Sequence, residues 1–79
     1  MTAWLRCRLD SGMFSDEVAV TYPSHQIWQK SVFVPSACVR REPQAVKVTV
    51  LEKDGEKFAV LPSSRHDIVK IENADILQQ

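Results

Sequence analysis

Apolar residues recur at every second position along most of this chain. Leu5, Cys7 and Leu9 alternate with Trp4, Arg6 and Arg8, and Val18, Val20 and Tyr22 share one face of a second run. A period of two belongs to strands, whose successive side chains point to opposite sides of a sheet. The helical period of 3.6 is nearly absent, so the chain is expected to be all-β. In the first half the strands should cover 5–9, 17–22 and 27–34. Pro35 removes an amide donor and ends the ladder, and Ser36-Ala37-Cys38 reads as one 3₁₀ turn. In the second half they should cover 45–52, 57–61 and 67–72, followed by a short turn over 73–77. Asp54-Gly55, between the first two of these, is a strong hairpin signal.

The pattern is written twice. Leu5-Arg6-Cys7-Arg8-Leu9 aligns with Val46-Lys47-Val48-Thr49-Val50, and Val18-Ala19-Val20 with Phe58-Ala59-Val60. Pro23-Ser24 returns as Pro62-Ser63, and the stretch Val32 to Val39 returns as Val69 to Ile76. The reading is one domain over 1–79, with repeat one at about 3–40 and repeat two at about 44–79. Residues 40–44 form a short polar join. Each half is three strands and a turn, too small to bury a face alone. No long helix is available to cover a flat sheet, so about six strands are expected to curl into a small barrel.

The segment Phe33-Val34-Pro35-Ser36-Ala37-Cys38-Val39 resembles the late strand and 3₁₀ turn of SH3-like barrels. The resemblance implies an SH3-like small β-barrel. It carries over no peptide-binding residue, because the acidic and aromatic positions with which SH3 domains hold proline-rich peptides have no counterpart here.

At 79 residues the chain lies near the lower size limit for a single core, where oligomerisation is a common reinforcement. Ten basic and ten acidic residues cancel, which speaks against a protein devoted to polyanions. Two cysteines, Cys7 and Cys38, are too few for a disulfide scaffold and read as free thiols in a reducing compartment. Neither a leader-like apolar stretch nor a membrane span is visible, so a soluble cytoplasmic protein without membrane contact is expected.

Candidate chemistry is sparse. His25 and His66 occupy equivalent loops, and with Asp67 they would make a metal site if the loops converge; no metal-ligand spacing supports it. Cys38, His25 and Asp67 supply the residue types of a nucleophilic set, but nothing supplies an oxyanion hole or a nucleophile elbow. The chain is expected to be neither an enzyme nor a cofactor carrier.

Two binding readings remain. Arg6, Arg8, Arg40, Arg41, Lys47 and Lys70, mixed with Trp4 and Phe33, have the composition of a surface for RNA or single strands. The residues that break the repeat point elsewhere. Met13 and Phe14 stand where the second half has a polar hairpin, and Trp28 and Trp4 have no aromatic equivalents. These either plug an open barrel end or form a partner surface. The leading expectation is a non-catalytic interaction module, self-associating or part of a larger assembly, with Trp4, Met13, Phe14, Trp28 and Phe33 as the partner surface. Nucleic-acid binding is the alternative.

Overall fold

The computed structural model describes residues 1–11, 16–24 and 27–77, with the side chains of all but 11 and 23–31. Within them the chain is all-β, in two antiparallel sheets. The strands are β1 (Thr2–Arg6), β2 (Arg8–Ser11), β3 (Glu17–Ser24), β4 (Ile27–Pro35), β5 (Val39–Arg41), β6 (Gln44–Lys53), β7 (Glu56–Val60) and β8 (Ile68–Ile71). Single 3₁₀ turns at Ser36–Cys38 and Asn73–Asp75 interrupt them, where proline chemistry and the repeat placed them. No helix among the described residues is long and apolar enough to cross a membrane.

The larger sheet has the order β1-β6-β7-β8, with β5 also paired to β6. The smaller sheet is β2-β3-β4. The expected closed barrel is not found: the two ladders do not join into a cylinder. The expected first strand is divided at Cys7. Up to Arg6 it pairs with β6, and from Arg8 it pairs with β3. Cys7 itself donates its amide to the Gln44 carbonyl at 3.4 Å. A strand that changes sheets in this way makes a corner between two packed sheets.

One continuous core lies between the sheets. Leu5, Val46, Val48, Val50, Ala59, Leu61 and Ile71 come from or adjoin the larger sheet; Val20, Tyr22 and Val34 come from the smaller. Cys7 joins them at the corner. Full burial of a Val or Leu side chain contributes about 1.5–3 kcal/mol, so each member of this short list counts in a domain of this size. Strand alternation is clean: along β6, Val46, Val48 and Val50 are buried, while Lys47, Thr49 and Leu51 are exposed.

Turn chemistry fixes the register. Lys53 pairs with Glu56 around a two-residue loop in which Asp54 (φ 54°) and Gly55 (φ 79°) both take left-handed conformations. That is the type I′ geometry, whose twist matches the flanking strands. Leu51 therefore faces Phe58, and Thr49 faces Val60. Because Leu51 and Thr49 point away from the core, Phe58 and Val60 do too, and Ala59 points in. Here the sequence alignment is off by one residue. Val18 and Val20 are buried, whereas Phe58 and Val60 are only half-buried. A slip of one position exchanges the two faces of a strand.

The segment between β7 and β8 is held by its own polar groups. Ser63 Oγ donates to Asp67 Oδ2 at 2.6 Å and accepts from the Asp67 amide at 3.1 Å. The Leu61 amide bonds the Asp67 carbonyl, and the His66 amide bonds the Ser63 carbonyl. These bonds account for Ser63 being buried despite its hydroxyl.

Candidate binding surface

The face of the larger sheet turned away from the core follows from the registers. Thr2, Trp4 and Arg6 of β1 point outward, as do Ala45, Lys47, Thr49, Leu51 and Lys53 of β6. Beside them stand Arg40 of β5, Phe58, Val60 and Glu56 of β7, and Ile68 and Lys70 of β8. This face divides along β6 into two unlike ends.

The end near Ala45 is basic and aromatic. Arg40 and Trp4 lie on opposite sides of β6, yet the Arg40 guanidinium sits 5.3 Å from the centre of the Trp4 ring. Their contact therefore passes over β6 as a cation–π bridge. Ala45, between Arg6 on one side and Arg40 on the other, is fully buried although it points away from the core. The bridge above it accounts for that burial and for the need of a small side chain there. Lys47 pairs with Trp4 across the ladder and is exposed.

The other end is apolar. Leu51 and Phe58 are neighbours in one cross-strand row, Val60 and Ile68 in the next. Leu51 is 47% exposed and Ile68 63%, high values for large aliphatic side chains. The patch is bordered by an ion pair, Lys70 Nζ to Glu56 Oε1 at 2.9 Å, with both side chains about half exposed. Such a pair contributes little to stability.

Between the two ends is a shallow hollow of about 290 Å³, lined by Thr2, Cys38, Lys47, Thr49, Val60, Pro62 and His66. His66 enters it from a left-handed backbone position, φ 52°. A second hollow, of about 640 Å³, lies at the hairpin end, where Glu52, Glu56, Glu72 and Asp75 outnumber Lys57 and Lys70.

Charge is thus unevenly spread. Among the described residues, the outward strand positions of this face carry Arg6, Arg40, Lys47, Lys53 and Lys70 against one carboxylate, Glu56, in a chain whose total charge is zero. Among the described residues, none of Arg6, Arg40, Lys47 or Lys53 forms an ion pair.

The residues singled out from the sequence are scattered by the fold. Of the partner set, Trp4 is half-buried on the larger sheet and Phe33 is 48% exposed on the smaller one, so the two do not share a surface. Met13 and Phe14 lie outside the described residues; Trp28 is on β4, its side chain outside them. Of the basic set, Arg6, Arg40, Lys47 and Lys70 fall on one face. Arg8 is carried to the smaller sheet by the Cys7 corner, and Arg41 sits at the end of β5. His25 lies outside the described residues, so its distance from His66 is not part of the structure; Asp67 is engaged by Ser63. No group of three or more potential metal ligands occurs among the described residues. Leu51, Phe58, Val60 and Ile68 were missed, although the Asp54-Gly55 hairpin, which sets their register, was legible.

The thiols differ in setting. Both cysteines are free. Burial pushes the Cys7 thiol up to about 12, which keeps it protonated, while Cys38 is half-buried beside the hollow.

No family model, curated protein or solved structure matches the chain.

Proposed function

We propose that this chain is a non-catalytic interaction module that self-associates, or joins a larger assembly, through the apolar end of its larger sheet. The observation that carries the reading is the cluster of Leu51, Phe58, Val60 and Ile68, in two adjacent cross-strand rows on the face opposite the core. Leu51 and Ile68 are exposed and Phe58 and Val60 half-buried, and apolar side chains gathered on one sheet face in this way are a usual mark of a contact surface. A second copy suits this patch. Its border carries both signs, Glu56 beside Lys53 and Lys70, as a twofold contact requires, since each residue there meets a copy of its own surroundings. The small size of the chain adds a reason to associate. Sedimentation equilibrium over a wide concentration range tests it: mass should rise towards a multiple of the single chain. A single-chain mass throughout would remove self-association.

The internal repeat, in an SH3-like arrangement of two sheets without a closed barrel, is proposed as the plan behind this fold. The reading is supported by pairings that recur in both halves. Val39 pairs with Val46, and Ile76 bridges to Leu5, which are the aligned positions exchanged. A chain with its halves in reversed order, residues 44–79 before 1–41 through a short linker, should then retain a cooperative thermal transition. Loss of cooperativity would count against it. A cytoplasmic setting is proposed on the free thiols alone.

A further inference from the structure

We infer that the basic end of the larger sheet is a separate site for a short stretch of single-stranded nucleic acid. The inference does not depend on self-association, because the two ends of the face are made of different residues. Arg6, Arg40 and Lys47 project from three adjacent strands on one side of the sheet, and none is neutralised by an ion pair among the described residues. Trp4 lies among them, and the Arg40 guanidinium holds its ring in place. Next to Lys47, the hollow lined by Thr2, Thr49, Val60, Pro62 and His66 offers an apolar recess edged by a ring and two hydroxyls.

Each component has a chemical counterpart in a single strand. Three cations, Arg40 over the Trp4 ring and the exposed Arg6 and Lys47, stand close enough in the sheet to meet phosphates of one strand. The Trp4 ring offers a stacking partner, and the hollow receives a base that duplex geometry would keep stacked. Duplex DNA suits the site poorly, since a recess beside a flat sheet face cannot reach paired bases. The overall charge of zero had argued against any polyanion. The field a ligand meets, however, is set by the face it approaches and not by the total. Four of the ten carboxylates, Glu52, Glu56, Glu72 and Asp75, line the second hollow at the far hairpin end, while Glu42, exposed in the turn between β5 and β6, stands nearer the basic end, and Asp67 beside His66 is engaged by Ser63.

The test is a fluorescence anisotropy titration of the full chain with a labelled oligothymidine at 50 and 200 mM salt. Three phosphate contacts give a slope of about −2 in log K against log salt, hence roughly 20-fold weaker binding at the higher salt. Lys47→Glu and Arg6→Glu should each abolish most of the binding, whereas Lys57→Glu, in the acidic hollow, should leave it intact. An abasic strand of equal length should bind roughly tenfold or more weakly, through loss of stacking. Thermal melts of each variant separate lost binding from lost folding. No binding at 50 mM salt would overturn the inference. So would binding that ignores Lys47→Glu and Arg6→Glu in folded protein, or an abasic strand that binds equally well.

Discussion

Leu5 and Val46 stand directly opposite each other across the β1–β6 ladder, and both are fully shielded from solvent. They are also aligned positions of the proposed repeat. Beyond them on either side, Ile76 meets Leu5 and Val39 meets Val46, so a row of four apolar side chains crosses the middle of the larger sheet. The centre of the fold lies where the halves meet.

Removing bulk there should be costly. Leu5→Ala leaves a cavity that β-structure on both sides keeps from collapsing, and about 2–5 kcal/mol of stability should be lost. Urea unfolding monitored by circular dichroism reads this directly. A loss below 1 kcal/mol would mean that Leu5 is not at the centre of the core.

The Arg40–Trp4 bridge makes the opposite demand on Ala45. Ala45→Leu forces a larger side chain beneath it and should cost about 1–3 kcal/mol by overpacking. The same change in a Trp4→Ala background should cost less, since the roof is gone. A double-mutant cycle measures the difference. Equal costs in both backgrounds would deny that the bridge covers Ala45.

Alkaline pH should weaken the fold. Burial pushes the Cys7 thiol from 9.0 up to about 12, and burial, with the Asp67 charge second, raises the Tyr22 phenol above 10.0. In both cases the unfolded chain releases its proton first as pH rises. The native state then binds more protons, and stability falls with increasing pH. The contribution is intact below pH 9 and declines between 9 and about 12, by at most about 1.4 kcal/mol per pH unit for each group. Cys7→Ala should remove the earlier part of the decline, from pH 9, and leave the part from Tyr22. A flat stability profile from pH 8 to 11 would contradict the buried, neutral thiol. In the native protein, a thiol reagent at pH 8 should label Cys38 and spare Cys7.

Gly55 has open space where a β-carbon would stand, so its substitution tests backbone conformation alone. Gly55→Ala places alanine at φ 79° and should cost about 1 kcal/mol, read from the shift in thermal midpoint. No shift would mean that the turn adopts another geometry.

Local chemistry was largely legible in the sequence. Alternation located the strands, Pro35 the first 3₁₀ turn and Asp54-Gly55 the hairpin, because each depends on residues adjacent in the chain. What escaped was non-local. The break at Cys7 is invisible in the alternation, since Leu5, Cys7 and Leu9 still point inward on both sides of it; only the change of ladder partner reveals it. The repeat hid the apolar end, because matching Phe58 and Val60 to Val18 and Val20 turned them towards the core. The charge total concealed the basic end, since a sum over the chain carries no information about faces. The departures Met13, Phe14 and Trp28 drew attention to the first half, while the exposed aliphatics stand in the second.

The central claim is that the apolar end of the larger sheet is a contact surface, and Ile68→Asp addresses it most directly. Ile68 is exposed and supports no core contact that a carboxylate would break, so the variant should fold as the parent does. Light scattering on a size-exclusion column, at the same high concentration for both proteins, gives their masses. The account predicts a multiple of the 9.0 kDa chain for the parent and 9.0 kDa for the variant. A parent that stays at 9.0 kDa, or a variant that associates as the parent does, would contradict it.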